Sequence, residues 1–425
     1  MNVLVVGGGG REHALVWKIA QSPKVEKVYC APGNAGIEQI AECVPIGVND
    51  LDALAVFAHA HRVDLTVVGP EEPLSRGIAD RFRKEGLRVF GPSQQAARLE
   101  SSKAFAKRIM SRYGIPTARY AEFSHPDGAA AYVREHGAPI VIKADGLAAG
   151  KGVTVARTVE EALAAIDAAM VKKAFGEAGA QIVVEEFLVG EEASILAFTD
   201  GTTVLPMEAS QDHKAVFDGD AGPNTGGMGA YSPAPVVSDS LFEEVTRTIL
   251  EPCVRGMAAE GSPYTGCLYA GIMVTESGPK VVEFNCRFGD PETQVVLPRM
   301  KTDVVLPLEA CCTGTLHDVR LEWLDVACVT VVMASGGYPG PYEKGKPIAG
   351  IEQAEADGRA VVFHAGTRRA DKRLVTDGGR VLNVTATGPD IPSAIRNAYS
   401  AVRRVHFDGA HYRTDIGRKA IRHLT

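Results

Sequence analysis

Three residues in the last third of the chain, Glu283, Asn285 and Arg287, have the types and spacing to handle a phosphoryl group. Residues two apart on a strand point to one face. Glu283 and Asn285 would then offer two hard oxygens side by side, a set suited to Mg2+ bridging nucleotide phosphates. Phe284 points the other way and is expected to pack. Arg287 lies two residues further on, and it faces the same site if the strand geometry persists. A guanidinium there can grip a carboxylate or a transferring phosphoryl group. A solvated strand edge can carry the same triplet.

A second candidate begins at Lys143. The run IKADGLAAGKG brings a lysine to the end of an apolar segment, then sets glycines and alanines around Lys151, with Gly150 and Gly152 on either side. Small residues let backbone amides approach an anion and let the loop fold over it. A Walker A loop would need Gly-Lys-Ser/Thr ahead of a helix, whereas Val153 opens a strand-like run. The segment is therefore expected as a flap between strands that covers nucleotide phosphates. A plain glycine-rich hairpin would have the same composition. Downstream, Glu185-Glu186-Phe187-Leu188 and Gly190-Glu191-Glu192 form a hinge. Its backbone can meet an adenine edge, and its carboxylates can accept from ribose hydroxyls.

The amino-terminal Gly7-Gly8-Gly9-Gly10-Arg11-Glu12-His13 follows an apolar run and opens a helical one, so its amides could hold a phosphate. It fails as a dinucleotide fingerprint, because Glu12 stands at the third glycine position and Cys30-Ala31-Pro32-Gly33 follows the second strand in place of an acidic residue. A nicotinamide-dependent dehydrogenase is accordingly disfavoured. His13 and His213 have the chemistry of general bases, and equally that of structural hydrogen-bonding histidines. The eight cysteines form no CxxC pair, which argues for reduced, packed thiols in place of a metal or redox motif. Residues 210–233, with GPNTGGMGAYSP, make a long polar, glycine-rich loop of the kind that is usually functional.

These motifs, in this order, resemble the phosphoribosylamine–glycine ligase family of the ATP-grasp superfamily, essentially end to end. GGREHA, APGNAG at 31–36, VGPEEPL at 68–74, IKADGLAAGKG, SQDHK, GPNTGGMGAYSP and EFNCRFGDPETQ carry the resemblance, and RFGDPE at 287–292 is its most specific part. The resemblance implies an enzyme that joins glycine to 5-phosphoribosylamine through a glycyl phosphate, using ATP and Mg2+ or Mn2+. It implies ATP contacts from Lys103, Lys143, Gly150, Lys151 and Gly152. Glu185 and Leu188 would hold adenine by their backbone, and Glu192 the ribose. Glu283 and Asn285 would bind metal. Arg287 would hold the reacting carboxylate, Asp290 would orient the attacking amine, and Lys214 would face the phosphates. Gly9, Gly36, Glu71, Asp212 and Thr367 would help receive the substrates. Many ATP-grasp proteins carry a further metal-binding acid on the preceding strand, and residues 269–274 contain none. Rival readings are another ATP-grasp carboxylate–amine ligase, a carboxylase or formate-dependent transformylase, and a catalytically silent nucleotide sensor.

The elements that must position these groups follow from periodicity. Apolar runs at 3–6, 27–30, 65–68 and 87–90 alternate with helix-like stretches at 12–21 and 75–85, the pattern of an open parallel α/β sheet. Ligands bind such sheets at the carboxyl ends of the strands. Ser101 and Ser102 can cap a helix that Gly114 ends. Strands are expected at 139–143, 153–156, 181–188, 268–275 and 280–284, a hairpin at 193–207, and helices near 159–170 and 238–257. The last hundred residues read as strands at 327–334, 359–364, 369–375 and 380–387, then a helix at 391–405. The expected division is 1–101 as an amino-terminal α/β domain, 102–121 with 189–325 as the larger ATP-grasp part, 122–188 as its lid, and 326–425 as a small α+β domain. With 425 residues there is room for several cores. A net charge of −7 argues against a nucleic-acid face. No run approaches the roughly 20 apolar residues that cross a bilayer, and Met1 leads straight into a strand, so a cytoplasmic monomer without a leader is expected.

Overall fold

In a computed structural model describing residues 1–147 and 152–424, the chain builds its first sheet from five parallel strands. Their order is Glu42–Cys43, Lys27–Pro32, Asn2–Gly7, Leu65–Val68 and Val89–Phe90. Residues 3–6 and 65–68 are buried throughout, as a sheet covered on both faces requires. The order reverses beside Asn2–Gly7, so the loops after that strand and after Leu65–Val68 diverge and open a crevice. Gly7–Gly10 and Gly69–Glu71 lie there. The expected helix at 75–85 is two helices, Glu71–Ser75 and Ile78–Lys84, broken where Gly77 adopts φ +86°. The strand expected at 87–90 pairs only over Val89–Phe90.

The central part holds two antiparallel sheets. One runs Tyr120–Phe123, Ile182–Glu186, Ile140–Ala144 and Val153–Ala156. The other runs Val204–Pro206, Glu191–Asp200, Thr265–Thr275 and Gly278–Asn285. Ser102 caps the helix Lys103–Arg112 by accepting from the Phe105 amide, as its position in the sequence suggests. Thr158 likewise caps Val159–Ile166, but Glu161 reaches back to the amide of Arg157, one residue earlier than a capping box would place it.

Two expectations are corrected in the last part. Residues 369–375 are not one strand but part of a hairpin, Thr367–Ala370 against Arg373–Thr376, turning at Asp371 and Lys372 with φ +46° and +65°. Asp-Lys lacks the glycine that usually marks such a turn. Residues 210–233 are not an uncovered loop. They hold the hairpin strands Ala215–Phe217 and Ala221–Asn224, and they give Gln211–Asp212 and Gly229–Ser232 to the carboxyl-terminal sheet. That sheet continues through Ala327–Ser335, Arg380–Gly388 and Ala360–His364, with the helix Ile391–Val402 packed over it. All eight cysteines are free thiols, six of them buried. Among the described residues no helix is long and apolar enough to cross a membrane.

Candidate active site

Glu283 and Asn285 project from Gly278–Asn285 into a cleft of about 520 Å3. The strand pairs Glu283 with Gly271, whose missing side chain leaves room for the carboxylate, and a bulge follows at Val282. Asn285 Nδ2 donates to Glu283 Oε1 at 3.4 Å, so the two side chains share a face as their spacing implies, while Asn285 Oδ1 accepts from Arg287 at 3.2 Å and Phe284 is buried in the core. Burial raises the Glu283 pKa, but Lys214, Lys143 and Lys103 outweigh it, and the net shift is downward. A carboxylate and an amide that share a face supply the hard oxygens a divalent cation takes once the amide turns its oxygen toward it. Among the described residues no cluster of three His, Cys, Asp or Glu could hold a metal alone. Ligand oxygens would have to complete the set.

The lysines converge from two elements. Lys103 opens the helix Lys103–Arg112 and donates to the carbonyl of Gly146 at 2.8 Å, while Asp145 accepts from the amide of Ala104 at 3.0 Å. Lys143, at the end of its strand, donates to the bulged Val282 carbonyl at 2.9 Å. It also meets Glu185 Oε1 at 2.9 Å, and Lys107 meets Glu185 Oε2 at the same distance. Burial lowers the Lys107 pKa to about 8, with Glu185 opposing. Lys107 was not singled out in the sequence, although it lies four residues after Lys103 on one helical face. Gly152 lines the cleft; Gly150 and Lys151 lie outside the described residues.

Arg287 is held from several sides. Nε donates to Glu71 at 3.2 Å, one terminal nitrogen to the Phe288 carbonyl at 3.3 Å, and the other to Asn285 Oδ1 at 3.2 Å and Glu100 at 2.9 Å. Burial opposes its charge, but Glu100 and Glu71 keep its pKa above the ordinary arginine value. Glu71 in turn falls to about 2: burial raises it, and Arg287 and Arg11 prevail. Phe288 wedges against Phe90 and Phe198, both with ring centroids 5.9 Å away, which fixes the turn that carries Arg287 and Asp290.

On the opposite wall Lys214 pairs with Glu192 at 2.7 Å. Burial pushes the Asp212 carboxyl up to about 7 against the pull of Lys214. Asp290 has both oxygens engaged, Oδ1 by Gln294 at 2.7 Å and Oδ2 by Arg380 at 3.0 Å. Arg380 also donates to the carbonyls of Gly226 and Asp290, at 2.6 and 2.9 Å. Arg11, Glu100, Lys107, Tyr269, Glu292 and Arg380 thus join the cleft lining unannounced by the sequence reading. Arg380 had no local signal, since it reaches the site only through the carboxyl-terminal sheet.

Some expected residues lie apart from this lining. Leu188 is half-buried past the end of Ile182–Glu186. Gly36 packs so closely that a Cβ there would lie 2.4 Å from His364 Cγ and 2.5 Å from His13 Cε1. His364 donates its amide to His13 Nδ1 at 2.8 Å, and its own Nδ1 meets Thr367 at 3.0 Å. Burial holds His13 near pKa 3, a structural imidazole. His213 is also buried and held near 3, yet its ring nitrogens have no hydrogen-bond partner among the described residues, contrary to the hydrogen-bonding role. Gly9 donates its amide to Glu12 at 2.6 Å, and a Cβ at Gly69 would collide with the same carboxylate. Glu12 therefore takes the Gly9 amide of the glycine loop and packs against Gly69.

The chain matches three family models, described as the N domain, the ATP-grasp (A) domain and the C domain of phosphoribosylglycinamide synthetase, over residues 1–100, 101–293 and 328–419. It is 56% identical over 425 residues to phosphoribosylamine–glycine ligase of Escherichia coli K12, covering 99% of each chain. To the Halalkalibacterium halodurans protein of that name it is 55% identical over 421 residues, 99% of this chain and 97% of the other. Among solved structures it resembles phosphoribosylamine–glycine ligase from Thermotoga maritima, with a TM-score of 0.84, 34% identity, and 98% and 100% of the two chains covered.

Proposed function

The chain belongs to the phosphoribosylglycinamide synthetase family, and from that premise we propose that its cleft joins glycine to 5-phosphoribosylamine with ATP, giving glycinamide ribonucleotide, ADP and phosphate in de novo purine biosynthesis. The observation that supports this best is the convergence of Glu283, Asn285 and Arg287 with Lys103, Lys143 and Lys214 on one cleft. Catalysis of phosphoryl transfer is mostly positioning and charge stabilisation, and those are the groups it needs.

In this reading a glycine carboxylate oxygen attacks the γ-phosphorus of ATP, ADP departs, and the amine of phosphoribosylamine displaces phosphate from the resulting glycyl phosphate. Glu283 and Asn285 would hold Mg2+ or Mn2+, which would offset negative charge on the phosphates. Lys103, Lys143 and Lys214 draw the phosphates toward Glu283. Gly150, Lys151 and Gly152 would contact the ATP phosphates. Glu185 and Leu188 take the adenine edge, and Glu192 the ribose. Arg287, locked beside Asn285, faces the oxygen being phosphorylated. Asp290, fixed by Arg380 and Gln294, orients the incoming amine. Gly9, Gly36, Asp212 and Thr367 shape the substrate approach, with Glu71 beside them. The division at residues 101, 121, 188 and 325 remains our reading of the domains, and we take the protein to work as a cytoplasmic monomer.

The test is ADP release by the full chain with ATP, Mg2+, glycine and phosphoribosylamine. Release should require both glycine and the amine. Release driven equally by bicarbonate or formate would move the protein to another ATP-grasp activity, and nucleotide binding without turnover would make it a sensor.

A further inference from the structure

Arg11 differs from the other arginines of the cleft in what it leaves unpaired. Arg287 has all three guanidinium nitrogens engaged. Arg11 gives Nε to Glu12 at 2.6 Å and Nη1 to the Phe288 carbonyl at 3.1 Å, and its Nη2 has no partner among the described residues. The residue is only 7% exposed and lines the cleft. Nη2 is not sealed in the interior but opens onto the cleft, where an oxyanion can take a charge-assisted hydrogen bond from it. The neighbouring charges narrow the choice. Arg287 shares the Phe288 carbonyl with Arg11. Asp290 has both oxygens engaged, whereas Glu71 gives a single oxygen to Arg287 and its side chain is 34% exposed. A phosphate dianion would be repelled by these carboxylates. A zwitterion would match them, with its carboxylate on Arg11 and its ammonium on Glu71.

Building on the ligase reading above, we propose that Arg11 binds the glycine carboxylate through Nη2, holding the oxygen that is not phosphorylated, while Glu71 receives the ammonium. Arg287 then serves the oxygen that is. Steady-state kinetics of Arg11→Ala and Arg11→Lys in the full chain, with thermal unfolding of each, test this. The lysine variant keeps the charge that pairs with Glu12 and so preserves the loop. Both variants should raise the KM for glycine on the order of fiftyfold, the loss of one charged hydrogen bond. The KM values for ATP and phosphoribosylamine should stay within about twofold, as for groups that touch neither. Added guanidinium should restore glycine kinetics in Arg11→Ala. A rise confined to phosphoribosylamine would overturn the assignment and make Arg11 a phosphate contact. Unchanged KM values with a lowered melting temperature would overturn it in favour of a brace for Glu12. A wild-type protein without glycine-dependent ADP release would refute the ligase reading itself, which the variants alone cannot do.

Discussion

Lys214, Lys143 and Lys103 pull the Glu283 carboxyl downward, and Glu283 in turn favours the charged forms of Lys103 and Lys214. Removing either oxygen donor should therefore spoil the site without unfolding the sheet. Glu283→Ala and Asn285→Ala are expected to lose most ligase activity while their melting curves stay close to wild type. Near-normal rates for both across a Mg2+ titration would contradict the metal assignment. Arg287 carries a heavier structural load than a lone catalytic group, since Glu71, Glu100, Asn285 and the Phe288 carbonyl all depend on it. Lysine cannot copy that fork. Arg287→Lys should therefore lower the melting temperature, and also slow turnover per folded molecule by about a hundredfold, near 3 kcal/mol. A destabilised variant with wild-type turnover would reduce Arg287 to a brace. The sequence made Arg287 conspicuous through its two-residue spacing from Asn285. It was silent on Arg11, whose open edge depends on where Glu12 and Phe288 spend their hydrogen bonds.

The elements around the cleft are joined by polar contacts that carry their own signatures. His13 on Gly10–Ile19 and His364 on Ala360–His364 lock the amino-terminal helix to the carboxyl-terminal sheet. Burial, with His364 beside it, depresses His13 to about 3, and burial with Arg369 depresses His364 to about 4. An unfolded chain takes up these protons near pH 6.5. The stability that the neutral pair contributes is thus complete above that value and is lost as pH falls toward the folded pKa values. The melting temperature should drop between pH 6.5 and 4, and the slope should flatten in His13→Gln/His364→Gln. An unchanged slope in that variant would show that other groups dominate. The hairpin beside Lys214 hangs on Arg413, which is 1% exposed and grips Asp415 at 2.7 Å and Asp220 at 3.0 Å. Arg413→Met strands the buried Asp415 and should cost about 3 kcal/mol in denaturant unfolding; a cost below about 1 kcal/mol would mean that water compensates. Strands with continuous apolar runs, such as Leu65–Val68, were legible in the sequence to the residue. The short strands within 210–233 were not, because each spans only two to four residues and Gly229–Ser232 is held by Ala327–Ser335 far along the chain.

At the scale of the whole molecule, the motifs named a cleft, and the structure shows which domains close it. The amino-terminal sheet brings Arg11 and Glu71, the central sheets bring the lysines and Glu283, and the carboxyl-terminal sheet brings Arg380. Periodicity could place each sheet but not their meeting, since Arg380 and Asp290 are 90 residues apart. The amino-terminal glycine loop shows the same limit in reverse. Its glycines were legible, and only the packing reveals that Glu12 takes the Gly9 amide. The central claim is that the cleft activates glycine as an acyl phosphate before the amine adds. Glycine labelled with 18O in both carboxylate oxygens tests it most directly, with mass analysis of the phosphate released by the full chain in the presence of ATP, Mg2+ and phosphoribosylamine. If a carboxylate oxygen attacks the γ-phosphorus, that oxygen leaves with the phosphate, and each phosphate formed should carry one 18O. Unlabelled phosphate, released in step with glycinamide ribonucleotide, would contradict the account.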